Sequence, residues 1–344
     1  MRAHLRTAVV VALAVALLAW FLRGADLSKV WAEMTRGRVD LLLLALVTTM
    51  TTYALRAMRW QYLLAGLGPT RFLIAFRATV VGFAASFLLP ARAGEFLRPY
   101  LLAQHEGLNA TAAFATVVLE RVFDMATVLV LFAVFLLTAD PALARLDPAV
   151  FRAVQAGGLT AAAVTVAILA VFYFLAGHPE ATGRLSARVE RRLPPRLARL
   201  VDGMAQTFAL GLGAVRRPQQ LFLVFAWSFP LWLSIAGGIW LVSRAFSVEV
   251  PFVGSFLVMA LLVVGVAMPT PGAIGGFHKF YQIAVVSFYH ASTEKAIGAA
   301  VVLHAISFVP VTLLGIFFML QEGLTLGGMR RLASEGGASK EEAK

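Results

Sequence analysis

The chain has 344 residues, of which 60% are hydrophobic and only 14% charged, with a mean hydropathy of +0.82 and a formal net charge of +12. Ordinary soluble domains carry about 25% charged residues, so this composition excludes a soluble globular protein and describes a polytopic membrane protein. The basic balance does not argue for nucleic acid, because the arginines cluster in loops beside apolar runs, as the positive-inside rule and anionic headgroups require.

Residues 5–22 form the first apolar span, with Arg2 before it and Arg6 at its start. A cleaved signal peptide is the rival reading. No small-residue cleavage pattern follows the run, since Leu22-Arg23-Gly24 comes instead, so an uncleaved helix is expected. Residues 27–38 read as a short amphipathic connector. The second span covers residues 39–55 and runs into Tyr53, Arg56, Arg59 and Trp60. These read as an aromatic and basic girdle at a membrane surface, with Arg56 and Arg59 as headgroup contacts.

Residues 72–89 are apolar and stop at Pro90, just before Arg92, Glu95 and Arg98. Residues 112–137 make a long span carrying Glu120, Arg121 and Asp124 in its first half. After a loop at 140–152, residues 154–176 form an Ala/Gly-rich span suited to close helix packing. Residues 178–218 are the longest polar stretch, with eight arginines against three acids. That stretch is expected in the cytoplasm, and Pro194-Pro195 within it fits an interfacial basic helix on anionic lipid. Residues 221–242 are a span. Residues 252–267 are apolar and break at Met268-Pro269-Thr270-Pro271-Gly272-Ala273-Ile274-Gly275-Gly276. A shorter run at 277–290 and a last span at 296–320 follow, then a polar tail from residue 323.

Parity constrains this map. With the basic N-terminus inside, two spans return the chain inside at Arg56 and Arg59. A full crossing at 72–89 would then place the arginine-rich stretch outside, against the charge rule. A re-entrant hairpin at 72–102, broken at 90–94, restores it. Residues 252–290 read as a second hairpin from the opposite face or as two ordinary spans. Span, broken hairpin, span would then occur twice, in opposite orientations. The fold class expected is all-α and polytopic, with about eight transmembrane helices. Re-entrant hairpins and an inverted repeat belong to the same expectation, and such interrupted segments point to a transporter site near the midplane. Residues 1–322 are expected to be one transmembrane domain, with halves at 1–176 and 219–322 around the basic loop at 177–218, and 323–344 a cytoplasmic tail.

Three constellations stand out. In the first, Pro90 and Gly94 break helix around Arg92, while Glu95 and Arg98, three apart, share a face and can pair. Helix N-termini at such a break suit an anion, with Arg92 as its ligand; the alternative is a surface loop. In the second, Glu120 and Asp124 lie four apart on one helix face, with Arg121 three from Asp124. Ions at that depth face a cavity or each other and mark a pathway, or they form a structural network with Arg92 or Arg98. In the third, Pro269, Pro271, Gly272, Gly275 and Gly276, followed by His278, impose an irregular loop whose amides suit phosphate; a tight extramembrane turn is the alternative. His304 reads as a packed, hydrogen-bonded histidine. The absence of cysteine excludes disulfides, thiolate metal sites and thiol catalysis. No nucleophile elbow, metal-ligand cluster or nucleotide loop is visible.

The ordered motifs Pro90-x-Arg92-x-Gly94-Glu95-x-x-Arg98, Glu120-Arg121-x-x-Asp124 and Pro269-Thr270-Pro271-Gly272-x-x-Gly275 resemble the membrane-domain family of lysylphosphatidylglycerol synthases, which includes stand-alone flippase-like proteins. The resemblance runs from about residue 5 to residue 320. It implies a lipid-translocating domain with re-entrant helices, acting on aminoacylated phospholipids, lipid-linked sugars or hopanoid-type lipids. Two departures matter. Aminoacylating members carry a large soluble transferase domain, which has no counterpart in the 178–218 stretch, so lysyl transfer is not expected. Relatives also commonly place a Glu where this chain has His278.

The expected function is therefore movement or presentation of an anionic phospho- or glycolipid across the cytoplasmic membrane. Arg92, Arg98 and Arg121 would hold the headgroup, and Glu95, Glu120 and Asp124 would pair them in the empty state. No enzyme activity, cofactor, metal or nucleic-acid partner is expected. A bacterial inner membrane with both termini cytoplasmic, a homodimer and a separately encoded lipid-modifying enzyme as partner complete the expectation. The alternatives are a membrane-embedded glycosyl- or phosphotransferase on a lipid carrier, and a partner subunit of such an enzyme.

Overall fold

The computed structural model describes residues 12, 16–23, 25–89, 92–138, 148–177, 218–268 and 270–322. Most of the first expected span, Pro90, Pro269, Pro194-Pro195 with the body of the basic stretch, and the tail from residue 323 lie outside the described residues. The remainder is all-α, with no strand among the described residues.

Residues 16–22 are helical. The amphipathic connector is helix α1 (Leu27–Thr35), capped by Asp26, whose carboxylate accepts from the Ser28 and Lys29 amides. Then come α2 (Val39–Leu64), α3 (Phe72–Leu88), α4 (Gly94–Glu106), α5 (Ala110–Thr138) and α6 (Pro148–Gly177). The second half holds α7 (Pro218–Ala245), α8 (Gly254–Ala267), a single 3-10 turn (Pro271–Ala273), α9 (Gly276–Tyr289) and α10 (Thr293–Gln321). Helices α2, α5, α6, α7 and α10 each contain a stretch long and apolar enough to cross a membrane, whereas α3 and α8 are apolar but shorter. The chain is an integral membrane protein.

Both breaks form hairpins. Helices α3 and α4 pack along each other, as do α8 and α9. Glycine makes each contact close enough. A Cβ on Gly82 would lie 2.6 Å from the Arg98 Cβ and 3.0 Å from the Gly94 carbonyl oxygen. A Cβ on Gly265 would lie 2.7 Å from the Gly276 carbonyl oxygen. Small residues permit this backbone approach in a membrane, where no hydrophobic force drives helices together.

The two halves repeat. Phe72 and Gly254 start α3 and α8, Gly94 and Gly276 start α4 and α9, and the members of each pair are 182 residues apart. Ala110 and Thr293, which start α5 and α10, are 183 apart. The packing repeats as well. The counterparts α2 and α7 pack on each other; α3 packs on α10 as α5 packs on α8; α4 packs on α5 as α9 packs on α10. The α2–α7 seam is small and polar. Gly237 and Gly238 face Thr48 and Thr49, and the hydroxyls of Thr52 and Ser234 stand 2.7 Å apart. Thr48, Thr49, Thr51 and Thr52 donate their hydroxyls to carbonyls four residues earlier, at 2.7–3.1 Å, which satisfies them without water.

Candidate functional site

The helical course of α2 continues past Leu55 to Leu64, and this overturns the girdle reading of its end. Arg56 and Arg59 are buried rather than interfacial, at 6% and 0% exposure, and Trp60 beside them is fully buried. Arginine, alanine, methionine and leucine are good helix formers, so the segment has no local reason to stop at its first charge.

Arg56 and Arg59 meet Glu120 and Asp124 of α5. Arg59 Nη1 is 2.7 Å from Asp124 Oδ1, and Arg59 Nη2 is 3.3 Å from Glu120 Oε1. Arg56 Nη1 is 3.4 Å from Asp124 Oδ2 and 3.8 Å from Glu120 Oε1. From α4, Arg98 Nη1 donates to Glu120 Oε1 at 3.0 Å. Arg121 reaches the same oxygen at 3.0 Å and Asp124 Oδ2 at 3.5 Å. Four guanidinium groups therefore surround two carboxylates. The i, i+4 spacing of Glu120 and Asp124 makes this geometry, because it puts both carboxylates on the α5 face that α2 and α4 cover.

Aromatic and hydroxyl groups fix the cluster. Trp232 Nε1, on α7, donates to Asp124 Oδ1 at 2.9 Å, and Arg59 Nη1 donates to Ser228 Oγ at 2.8 Å. The Arg98 guanidinium lies over Trp60, 3.9 Å from the ring centroid, and Trp60 Nε1 donates to Thr116 Oγ1 at 2.9 Å. Arg56 lies 5.1 Å from the Phe83 centroid. Asp124 is thus fully engaged. Nε and Nη2 of Arg59, Nε and Nη2 of Arg98, Nε of Arg121 and Oε2 of Glu120 have no hydrogen-bond partner among the described residues. Ser228 and Trp232 were not legible as site residues; their one available signal was four-residue spacing on a span with polar atoms.

Arg121 is the half-open member, with 39% of its side chain exposed. At the first break Arg92, held at φ 53°, pairs with Glu95 at 3.7 Å. Its Nη2 donates to the Val266 carbonyl at 3.3 Å, one of the free carbonyls at the C-terminal end of α8. Arg92 therefore ties one hairpin's break to the other hairpin's end. Gly94, with Gly82, makes the crossing of α3 and α4 described above.

The second break carries a different chemistry. Gly272 and Ala273 are left-handed, at φ 59° and 57°, which glycine adopts at no steric cost. His304 Nε2, on α10, donates to the Gly272 carbonyl at 2.8 Å. The Gly275 amide points at His278 Nδ1 at 3.4 Å, and the His278 and His304 rings stack with centroids 4.6 Å apart. Pro271, Gly275 and Gly276 shape this turn. No hydrogen bond or ion pair among the described residues joins it to the arginine cluster. A run of rings lies between them instead: Phe83 and Phe87 at 6.3 Å, Phe87 and Phe308 at 4.5 Å, then Phe308 and His304 at 4.4 Å.

The family model described as "Lysylphosphatidylglycerol synthase TM region" matches residues 7–315. The chain is also similar to "Glycosyltransferase AglD" of Haloferax volcanii, 25% identical over 338 residues that cover 91% of this chain and 53% of that protein. It spans about half the length of the curated relative it matches.

Proposed function

Because the chain belongs to the lysylphosphatidylglycerol synthase TM region family, we propose that it moves or presents an anionic phospho- or glycolipid across the cytoplasmic membrane. One observation carries this reading: among the described residues the buried cluster holds two more cations than anions, and several of its guanidinium N–H groups have no hydrogen-bond partner. A charge in hydrocarbon is costly unless a partner or a cavity answers it. An anionic headgroup would supply the missing negative charge. Arg98 and Arg59 would hold it, Arg121 and Arg92 would meet it first, and Glu120 and Asp124 keep the arginines paired in its absence. The acyl chains remain in lipid.

The repeat of two broken hairpins supports a transporter architecture with both termini cytoplasmic. The step is passive or gradient-driven, and the protein itself is not an enzyme. A second reading, a membrane-embedded glycosyltransferase on a lipid carrier, is favoured by the name of the half-matched relative, a glycosyltransferase.

The test is lipid translocation in proteoliposomes with labelled anionic and zwitterionic lipids, using wild type, Arg92→Ala and Glu120→Gln. The transport reading expects wild type to move the anionic lipid and both folded variants to fail. A silent wild type that still co-purifies with lipid favours presentation to a partner.

A further inference from the structure

We propose that the arginine cluster is built for a phosphate group carrying two negative charges, a phosphomonoester or diphosphate end group, in preference to a phosphodiester. This rests on reading the cluster as a headgroup site.

The charge count comes first. Arg56, Arg59, Arg98 and Arg121 face Glu120 and Asp124, so among the described residues two positive charges of the cluster are uncompensated. The neighbouring Arg92–Glu95 pair is neutral and changes nothing. A phosphodiester brings one negative charge and leaves one buried cation unanswered. A phosphomonoester carries about −1.5 to −2 at neutral pH and brings the interior close to neutrality. An unpaired buried charge costs enough that this difference decides between ligands.

The donor geometry agrees. On Arg98, Nη1 is taken by Glu120, while Nε and Nη2 are unpartnered. On Arg59, Nη1 is taken by Asp124 and Ser228 and Nη2 is ion-paired with Glu120 Oε1 at 3.3 Å, so Nε alone is without a partner among the described residues. Nε and Nη2 form one edge of the guanidinium, the edge that binds an oxyanion through two parallel hydrogen bonds. Both arginines reach the same carboxylate oxygen, Glu120 Oε1, Arg98 through Nη1 and Arg59 through Nη2, so the free fork of Arg98 and the free Nε of Arg59 belong to one cluster. The fork of Arg98, with Nε of Arg59 and Nε of Arg121, leaves four donor nitrogens of one cluster without a partner among the described residues, and the third terminal oxygen of a monoester answers them with an acceptor that a diester lacks. Glu120 Oε2 is the acceptor left over, and it suits a P–OH or a headgroup hydroxyl.

The test uses the full chain in neutral detergent and reads the thermal midpoint, since a ligand that binds the folded state raises it by mass action. The probes are short-chain phosphatidic acid, short-chain phosphatidylglycerol and inorganic phosphate, at pH 8 and pH 5. The expected result is binding of phosphatidic acid at least about tenfold tighter than phosphatidylglycerol at pH 8. That preference shrinks at pH 5, where the monoester keeps one charge. Arg98→Lys, which keeps the charge and loses the fork, should erase most of the preference; Arg121→Lys serves if the first variant does not fold. Equal or weaker binding of phosphatidic acid at pH 8 overturns the proposal and leaves the anionic-headgroup reading standing. No response to either lipid overturns both. Inorganic phosphate equal to phosphatidic acid supports the dianion and identifies the ligand as free phosphate rather than lipid.

Discussion

Arg59 Nη1 and Asp124 Oδ1 stand 2.7 Å apart between α2 and α5, and the Arg59 side chain is wholly out of contact with solvent. The pair ties two helices of the first half together, and Trp232 holds the same carboxylate from α7, so Asp124 is where the two repeats meet. Removing Arg59 deletes the shortest of these contacts but leaves Asp124 with Arg56, Arg121 and Trp232. Arg59→Ala should therefore destabilise by about 1.5–3 kcal/mol, as for a lost hydrogen bond to a charged group. The double variant Arg59→Met with Asp124→Leu should cost less than the sum of its singles. A double-mutant cycle on thermal unfolding midpoints measures this, and strict additivity would refute the coupling.

Trp232→Phe keeps most of the packing and deletes one donor to a buried carboxylate. The expected loss is about 1.5–3 kcal/mol, as for a hydrogen bond to a charged group. Denaturant or thermal unfolding in detergent decides it; an effect within experimental error would mean that Asp124 is satisfied by arginines alone.

The hairpin crossings make a third prediction. A Cβ on Gly82 would meet the Arg98 Cβ at 2.6 Å, and one on Gly265 the Gly276 carbonyl at 2.7 Å, while one on Gly66 meets nothing within 4 Å. Gly82→Ala and Gly265→Ala should each cost about 1–3 kcal/mol through forced backbone shifts, and Gly66→Ala should be close to neutral. Equal midpoints for all three variants would show that the hairpins do not cross as closely as described.

How much of this was legible in the sequence follows from which forces are local. Helices α3, α4, α8 and α9 and the two breaks follow from apolar runs interrupted by Pro and Gly, and the pairing of Arg98 with α5 was one of the readings open at that stage. The fate of Arg56 and Arg59 was not legible. Charges at the end of an apolar run look interfacial because hydropathy sees composition and not partners. The overlooked signal was that Tyr53, Arg56, Trp60 and Leu63 recur at helical spacing across the assumed end. Ser228 and Trp232 gain their roles only from packing between residues more than 100 apart. His304 read correctly as a hydrogen-bonded histidine, but the Gly272 carbonyl as its partner is a tertiary fact.

That contact yields a fourth prediction. His304→Ala removes the donor that holds the Gly272 carbonyl and should loosen the second break. Amide exchange at Ile274 and Gly275 should rise by about an order of magnitude or more, given a net hydrogen-bond contribution near 1 kcal/mol or above at a buried site. Unchanged exchange would mean that the turn is held by its own backbone.

The inverted repeat is tested by sidedness. The chain has no cysteine, so single cysteines can be introduced without removing others. Gly66→Cys, after α2, and Glu249→Cys, after its counterpart α7, should be labelled by a membrane-impermeant maleimide from opposite faces. Labelling from the same face would make the two units parallel.

The measurement that tests the central claim most directly is an experimental structure of the full chain in a lipid bilayer containing an anionic lipid. The account predicts a headgroup phosphate within hydrogen-bond reach of the Nε–Nη2 edge of Arg98 and of Arg59 Nε, with Arg121 turned inward. Lipid phosphate confined to the protein perimeter, with the cluster closed on Glu120 and Asp124 alone, would contradict it and make the charged interior a structural ion network.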